Sequence, residues 1–155
     1  MGTYDLTLGE STPKWDAHGK EIVLKRVMNA AALIAADTTL TANAKITAAD
    51  VIQAINVPAG FVATGAAVKV TTAGTAGNTI DVGVAAAYTG GNTDGFIDGA
   101  DIVTLAAPMT LVGDGYGPDN VTGLYFATAT TIDVIYVADE IIGEFTLYVK
   151  GFMLD

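Results

Sequence analysis

The sequence contains no cysteine, one serine, one histidine and one tryptophan, and only 7 Lys+Arg among its 155 residues. Without cysteine there is no disulfide framework, no thiolate nucleophile, no iron–sulfur cluster and no Cys-based zinc site. The lone Ser11 and the lone His18 both lie in the first twenty residues. A Ser11–His18 dyad on such a segment would lack a rigid scaffold, so serine-type catalysis is set aside. One histidine cannot build a His-rich zinc site either.

Charge of one sign is also missing over a long stretch. Residues 70–149 hold ten acidic side chains and no basic one, whereas 1–69 hold six of each, and the formal net charge is −10. A nucleic-acid partner needs Lys and Arg against its phosphates, and this stretch has none to offer, so direct DNA or RNA binding by the body is excluded. The acidity reads either as a self-repelling, soluble surface or as a docking face for a basic partner. Charged residues make up 15% of the chain against 51% apolar ones. So few charges imply that part of the surface is covered.

Long hydrophobic runs are absent too, although the mean hydropathy is +0.45. The longest uncharged stretch, Val51 to Val68, contains Gln53, Asn56, Pro58 and two glycines. It is not a spanning helix, and no membrane partner is expected. The opening MGTYDLTLGE has no basic n-region and no apolar h-region, and Leu6 stands where a myristoylation signal requires Ser or Thr. No export or anchoring signal is read, and the Asn120-Val121-Thr122 sequon is taken as chance.

What the chain does have is 26 Ala, 21 Thr and 18 Gly, distributed as short periodic runs between glycine-rich turns. Its length fits one domain, large enough to bury a core without cross-links. Residues 1–20 show neither a period of 2 nor one of 3.6 and read as an arm carrying Lys14, Trp15 and His18. That arm either packs across a neighbour or folds back over its own sheet.

Glu21–Asn29 reads as a strand, and 30–49 as irregular with one helical turn at most. Val51–Val57 is a strand stopped by Pro58-Ala59-Gly60; Phe61–Thr72 follows, with Val62, Val68 and Val70 assigned to one face. Asn78–Ala86 places Ile80, Val82 and Val84 on one side. Tyr88–Asp101 reads as a long loop folded around Phe96 and Ile97, with a short strand near Ile102–Leu105. Thr122–Ala127, Thr131–Val137 and Glu144–Phe152 complete the set. Seven or eight short strands without a strong amphipathic helix predict an all-β fold, an antiparallel β-sandwich or jelly roll. The expected organisation is an extended N-terminal arm, 1–20, and a single sandwich domain, 21–155.

Two carboxylate patterns are candidate chemistry. Asp94, Asp98, Asp101, Asp114 and Asp119 could supply the acid and base of a glycoside hydrolase, but nothing marks the aromatic sugar platforms such a cleft needs. Asp94, Asp98 and Asp101 sit in a glycine-rich loop and are a weak calcium candidate, since Ca²⁺ takes six to eight oxygens. Phe96 and Ile97 stand where EF-hand ligands would be, and Asx turns explain the same residues. No glycine-rich phosphate loop is present, and no cofactor is expected.

The runs DVIQAINVPAGFVATGAAVKVTT (50–72), TIDVGVA (79–85), TDGFIDGAD (93–101), TATTIDVIYVAD (128–139) and GEFTLYV (143–149) resemble small virion proteins of tailed bacteriophages, of the capsid decoration or cement type. The resemblance implies a sandwich or jelly-roll subunit that binds the outside of an icosahedral head and bridges subunits of the major capsid protein. A homo-oligomer, dimer or trimer, made in the host cytoplasm and carried on the virion, would fit it. Lys14, Trp15, His18, Lys25 and Arg26 are then the candidate interface residues. The alternative is a carbohydrate- or receptor-binding β module of a head or tail fibre, using the 88–119 loops with Tyr88, Phe96 and Tyr116.

Overall fold

The computed structural model describes residues 3–5, 21–48, 50–104, 110–111 and 123–154. They form strands β1 (Thr3–Asp5), β2 (Ile22–Asn29), β3 (Val51–Val57), β4 (Phe61–Thr72), β5 (Thr79–Gly83), β6 (Ile97–Asp101), β7 (Thr110–Leu111), β8 (Leu124–Tyr125), β9 (Thr130–Tyr136) and β10 (Glu144–Met153), with helices α1 (Ala30–Ala36) and α2 (Thr38–Asn43).

One sheet, A, has the order β1-β3-β9-β5-β6; the other, B, has the order β2-β10-β4-β7, and β8 also pairs with β4. β7 and β8 lie along the same edge of β4, at Ala67–Val68 and at Val62–Ala63 respectively. Counted as one interrupted strand, they leave two four-stranded antiparallel layers in which β2, β3, β4 and β5 alternate between sheets. Two interlocked Greek keys of this order make a jelly roll, the closed-off sandwich expected from the strand pattern. β1 adds to sheet A in parallel, Thr3 to Asp5 opposite Val51 to Gln53. The segment read as an arm thus contributes three residues of edge strand.

Alternation fills the space between the sheets. Leu24 and Met28 of β2, Phe145, Leu147 and Val149 of β10, and Ala66 and Val68 of β4 meet Ile52, Ile80, Val82, Ile132, Val134 and Tyr136 in one buried cluster. Each large aliphatic or aromatic side chain so buried contributes about 1.5–3 kcal/mol before entropy is counted. Val62 departs from the expected face. The register of β4 against β10 shifts between Lys150 and Gly151, which skips Thr64. That bulge inverts the phase, so Phe61 and Ala63 join the core and Val62 points to the other side, away from Val68.

Residues 30–43 are two short helices, not irregular chain. Asn29 Oδ1 accepts from Ala32 N–H at 2.9 Å and caps α1. Asp37 Oδ1 accepts from Thr39 and Leu40 N–H at 2.8 and 3.0 Å and caps α2. The strand expected near Ile102–Leu105 sits earlier, at Ile97–Asp101. Gly99, at φ +66°, lets β6 bulge there and still pair Ile97 with Val82 and Ala100 with Ile80. Phe96 and Ile97 are buried, as their place at the centre of the loop predicts.

Glu140 ties the layers together at one end. Its carboxylate accepts from the N–H groups of Thr75, Ile141, Ile142 and Gly143 at 2.9 to 3.1 Å and from Thr75 Oγ1 and Asn78 Nδ2 at 2.9 Å. It therefore joins the β9–β10 connection to the β4–β5 connection, each of which crosses between sheets. Burial pushes this carboxyl up, but the donors from Ile142, Thr75, Gly143 and Asn78 outweigh burial and hold it below the ordinary glutamate value.

Candidate functional site

The outer faces of the sandwich follow from the same alternation that builds the core. On β2, Val23, Lys25 and Val27 are exposed while Ile22, Leu24 and Met28 are buried. The register sets Val27 opposite Thr146, Lys25 opposite Tyr148 and Val23 opposite Lys150. On the far side of β10, Lys69 stands opposite Thr146, and Ala67 and Gly65 stand opposite Tyr148 and Lys150. The outer face of sheet B thus gathers Lys25, Lys69 and Lys150 around Tyr148, with exposed Val23 and Val27 beside them. Lys25 Nζ lies 5.9 Å from the Tyr148 ring centroid, within cation–π range. The one acidic residue in these strands, Glu144, accepts from Asn29 Nδ2 at 2.6 Å and Thr71 Oγ1 at 2.8 Å. Those two bonds hold its carboxyl below the ordinary value.

Sheet A presents the opposite chemistry. Its strands contain no Lys or Arg, and their outward positions include Asp81 on β5, Asp133 on β9, and Asp98 and Asp101 on β6. Asp81 Oδ1 accepts from Gly99 N–H at 2.9 Å. Asp133 is buried on that side because the loop after β5 crosses over Gly83, where an added Cβ would come within 2.1 Å of the Asn92 carbonyl oxygen. Burial pushes the Asp133 carboxyl up, and a hydrogen bond from Thr131 Oγ1 at 2.7 Å offsets part of the rise.

Lys25 and Arg26 are adjacent but alternate to opposite sides. Lys25 is on the outer face, and Arg26 is half-buried in phase with Leu24 and Met28, so the two cannot act as a pair on one surface. Lys14, Trp15 and His18 lie outside the described residues, as do Ser11, Asp114, Asp119 and Tyr116. Asp94, Asp98 and Asp101 do not converge, and no group of three potential metal ligands forms among the described residues. Asp101 instead accepts from Val103 N–H at 2.7 Å and Thr104 Oγ1 at 2.8 Å, an Asx turn that holds its carboxyl below the ordinary value. Of the aromatics offered as a ligand platform, Phe96 is in the core. Tyr88 packs its ring 5.8 Å from that of Phe126.

No protein-family model matches the chain, and no curated protein matches it in sequence. A solved structure titled "Capsid of Ralstonia phage GP4" matches in fold, with a TM-score of 0.59 and 11% identity, covering 94% of this chain and 92% of that one. The likeness is one of fold. It spans the whole jelly roll and does not rest on a shared short motif.

Lys69, Lys150, Tyr148, Val23 and Val27 were not singled out as site residues from sequence. Their signal was present in part, because Lys69 and Lys150 occupy the polar phase of strongly alternating strands. Alternation gives the side of a strand but not its neighbours, so their convergence with Lys25 was not legible.

Proposed function

We propose that this chain is a noncatalytic structural protein of a phage virion, one that binds the outside of the capsid and bridges its subunits as a decoration, or cement, protein. The observation that carries the reading is the correspondence of nearly the whole chain with nearly the whole of a protein from a structure titled as a phage capsid. The residue inventory supports the noncatalytic part, since the sequence has no Cys, one Ser and one His. A shell under internal pressure fails at its seams. A protein that binds the assembled lattice, and not the separated subunits, stabilises it by mass action. About 800 Å² per partner suffices for specific association, and a dimeric or trimeric subunit engaging several capsid sites would add avidity.

The test is a density gradient of phage lysate, blotted for this chain across soluble, tail and DNA-filled-head fractions. Co-migration with heads at a stoichiometry near that of the capsid subunit supports the reading. Low copy number with tails would replace it with the receptor-binding alternative, and a purely soluble pool would remove both.

A further inference from the structure

We propose that the outer face of sheet B is the docking face of this protein, and that its partner is an acidic protein surface carrying exposed aliphatic groups. The inference rests on the reading of the chain as a capsid-binding protein and names the side by which it binds. Three of the four lysines among the described residues, Lys25, Lys69 and Lys150, converge on this face from three different strands. The fourth, Lys45, is bound to Asp139 at the end of the sandwich. In a chain of net charge −10, such a concentration creates the one described face that attracts a negative surface. The apolar content of the face is equally specific. Val23 and Val27 are 54% and 46% exposed, and Tyr148 stands on β10, the strand between them and Lys69 of β4.

This mixture of aliphatic, aromatic and cationic groups on one sheet face matches the make-up of a protein–protein contact. It is a poor match to nucleic acid, whose backbone offers nothing to the valines. Three lysines also fall short of the roughly six to ten phosphate contacts that duplex binders make. Sheet A, with Asp81, Asp98 and Asp101 outward, would be repelled by the same partner, so charge alone orients the protein on its target.

The experiment uses heads purified from the parent phage deleted for this gene, titrated with the full-length protein, and reads occupancy at low and high salt. Wild type should saturate the heads and weaken as salt rises, because rim and face charges are screened over about 8–10 Å. Lys25→Glu, Lys69→Glu and Lys150→Glu combined should cut affinity about a hundredfold, since like-charge juxtaposition costs several kcal/mol. The corresponding Gln triple should cut it about tenfold, and Asp98→Lys on the opposite sheet should leave it unchanged. Circular dichroism and melting of each variant keep folding separate from docking.

If wild type binds and the Glu triple binds equally well, the docking face is overturned and capsid binding stands. If wild type does not bind heads at all, the capsid reading falls and this inference with it. A gel shift of duplex DNA by wild type that the Glu triple loses would assign the face to nucleic acid instead. Self-association in sedimentation that the triple abolishes would assign it to a second copy. Either result overturns the proposal.

Discussion

The two layers of this sandwich share a core and differ in what they show to solvent. The strands of sheet B contain Lys25, Arg26, Lys69 and Lys150 against the single Glu144. The described side chains of sheet A include Asp81, Asp98, Asp101 and Asp133 and no basic residue. A net charge of −10 therefore describes neither face. Charge is partitioned here by sheet more than by position along the chain, because β2 to β5, and again β9 and β10, are dealt alternately to the two layers. The basic-free stretch 70–149 reads as one acidic region in sequence, yet most of β10 belongs to it and lies in the basic sheet.

The two layers depend most on the corner that holds them together. Glu140→Ala leaves N–H groups of two crossing connections, that of Gly143 buried, without their acceptor and should cost about 3–5 kcal/mol in urea denaturation. Both faces should be lost in one transition; separate transitions for the two sheets would show that they are not one cooperative unit. Gly83→Val comes next. It drives a side chain into the Asn92 carbonyl, lifts the loop from the outer side of sheet A and should cost about 2–3 kcal/mol by thermal melting.

Tyr136→Phe should stabilise. The Tyr136 hydroxyl is buried with no hydrogen-bond partner among the described residues, and its removal should gain about 1 kcal/mol, read as a rise of roughly 2–4 °C in Tm. A fall of that size would show that the hydroxyl is satisfied. The pH profile sharpens the contrast further. Glu140 lies below its ordinary 4.5 in the fold, so its stabilisation is complete above 4.5 and is lost as pH falls through the folded value. Asp133 lies above its ordinary 3.8, so its charge opposes folding at neutral pH, and that opposition lifts as pH falls through the raised value. Asp133→Asn should gain about 0.5–1 kcal/mol at pH 7 and nothing at pH 3, because only the charged form is penalised by burial. The smallest effect belongs to Val27→Thr on the exposed face of sheet B, which should change stability by less than about 0.5 kcal/mol. A loss of about 2 kcal/mol there would mean that the face is covered.

Much of the fold was legible locally. The strands at Val51–Val57 and Phe61–Thr72 fall where the apolar runs and their Pro-Ala-Gly punctuation place them. The short helices were missed although Asn29 and Asp37 are good N-cap residues, because seven- and six-residue helices rich in Ala and Thr carry little periodicity. Val62 was assigned to the wrong side because a bulge at Thr64 leaves no mark in an alternating pattern. The candidate site was the least legible part: Lys25 was named, but its neighbours Tyr148 and Lys150 lie more than 120 residues away.

The all-β class, most of the strands and the apolar side of most of them are written in the sequence, because a period of two lies within each short run. The tertiary structure alone decided which strands share a sheet. That decision comes from long-range backbone pairing between segments such as β2 and β10, which no local pattern encodes, and it is what brings three lysines from distant strands onto one face.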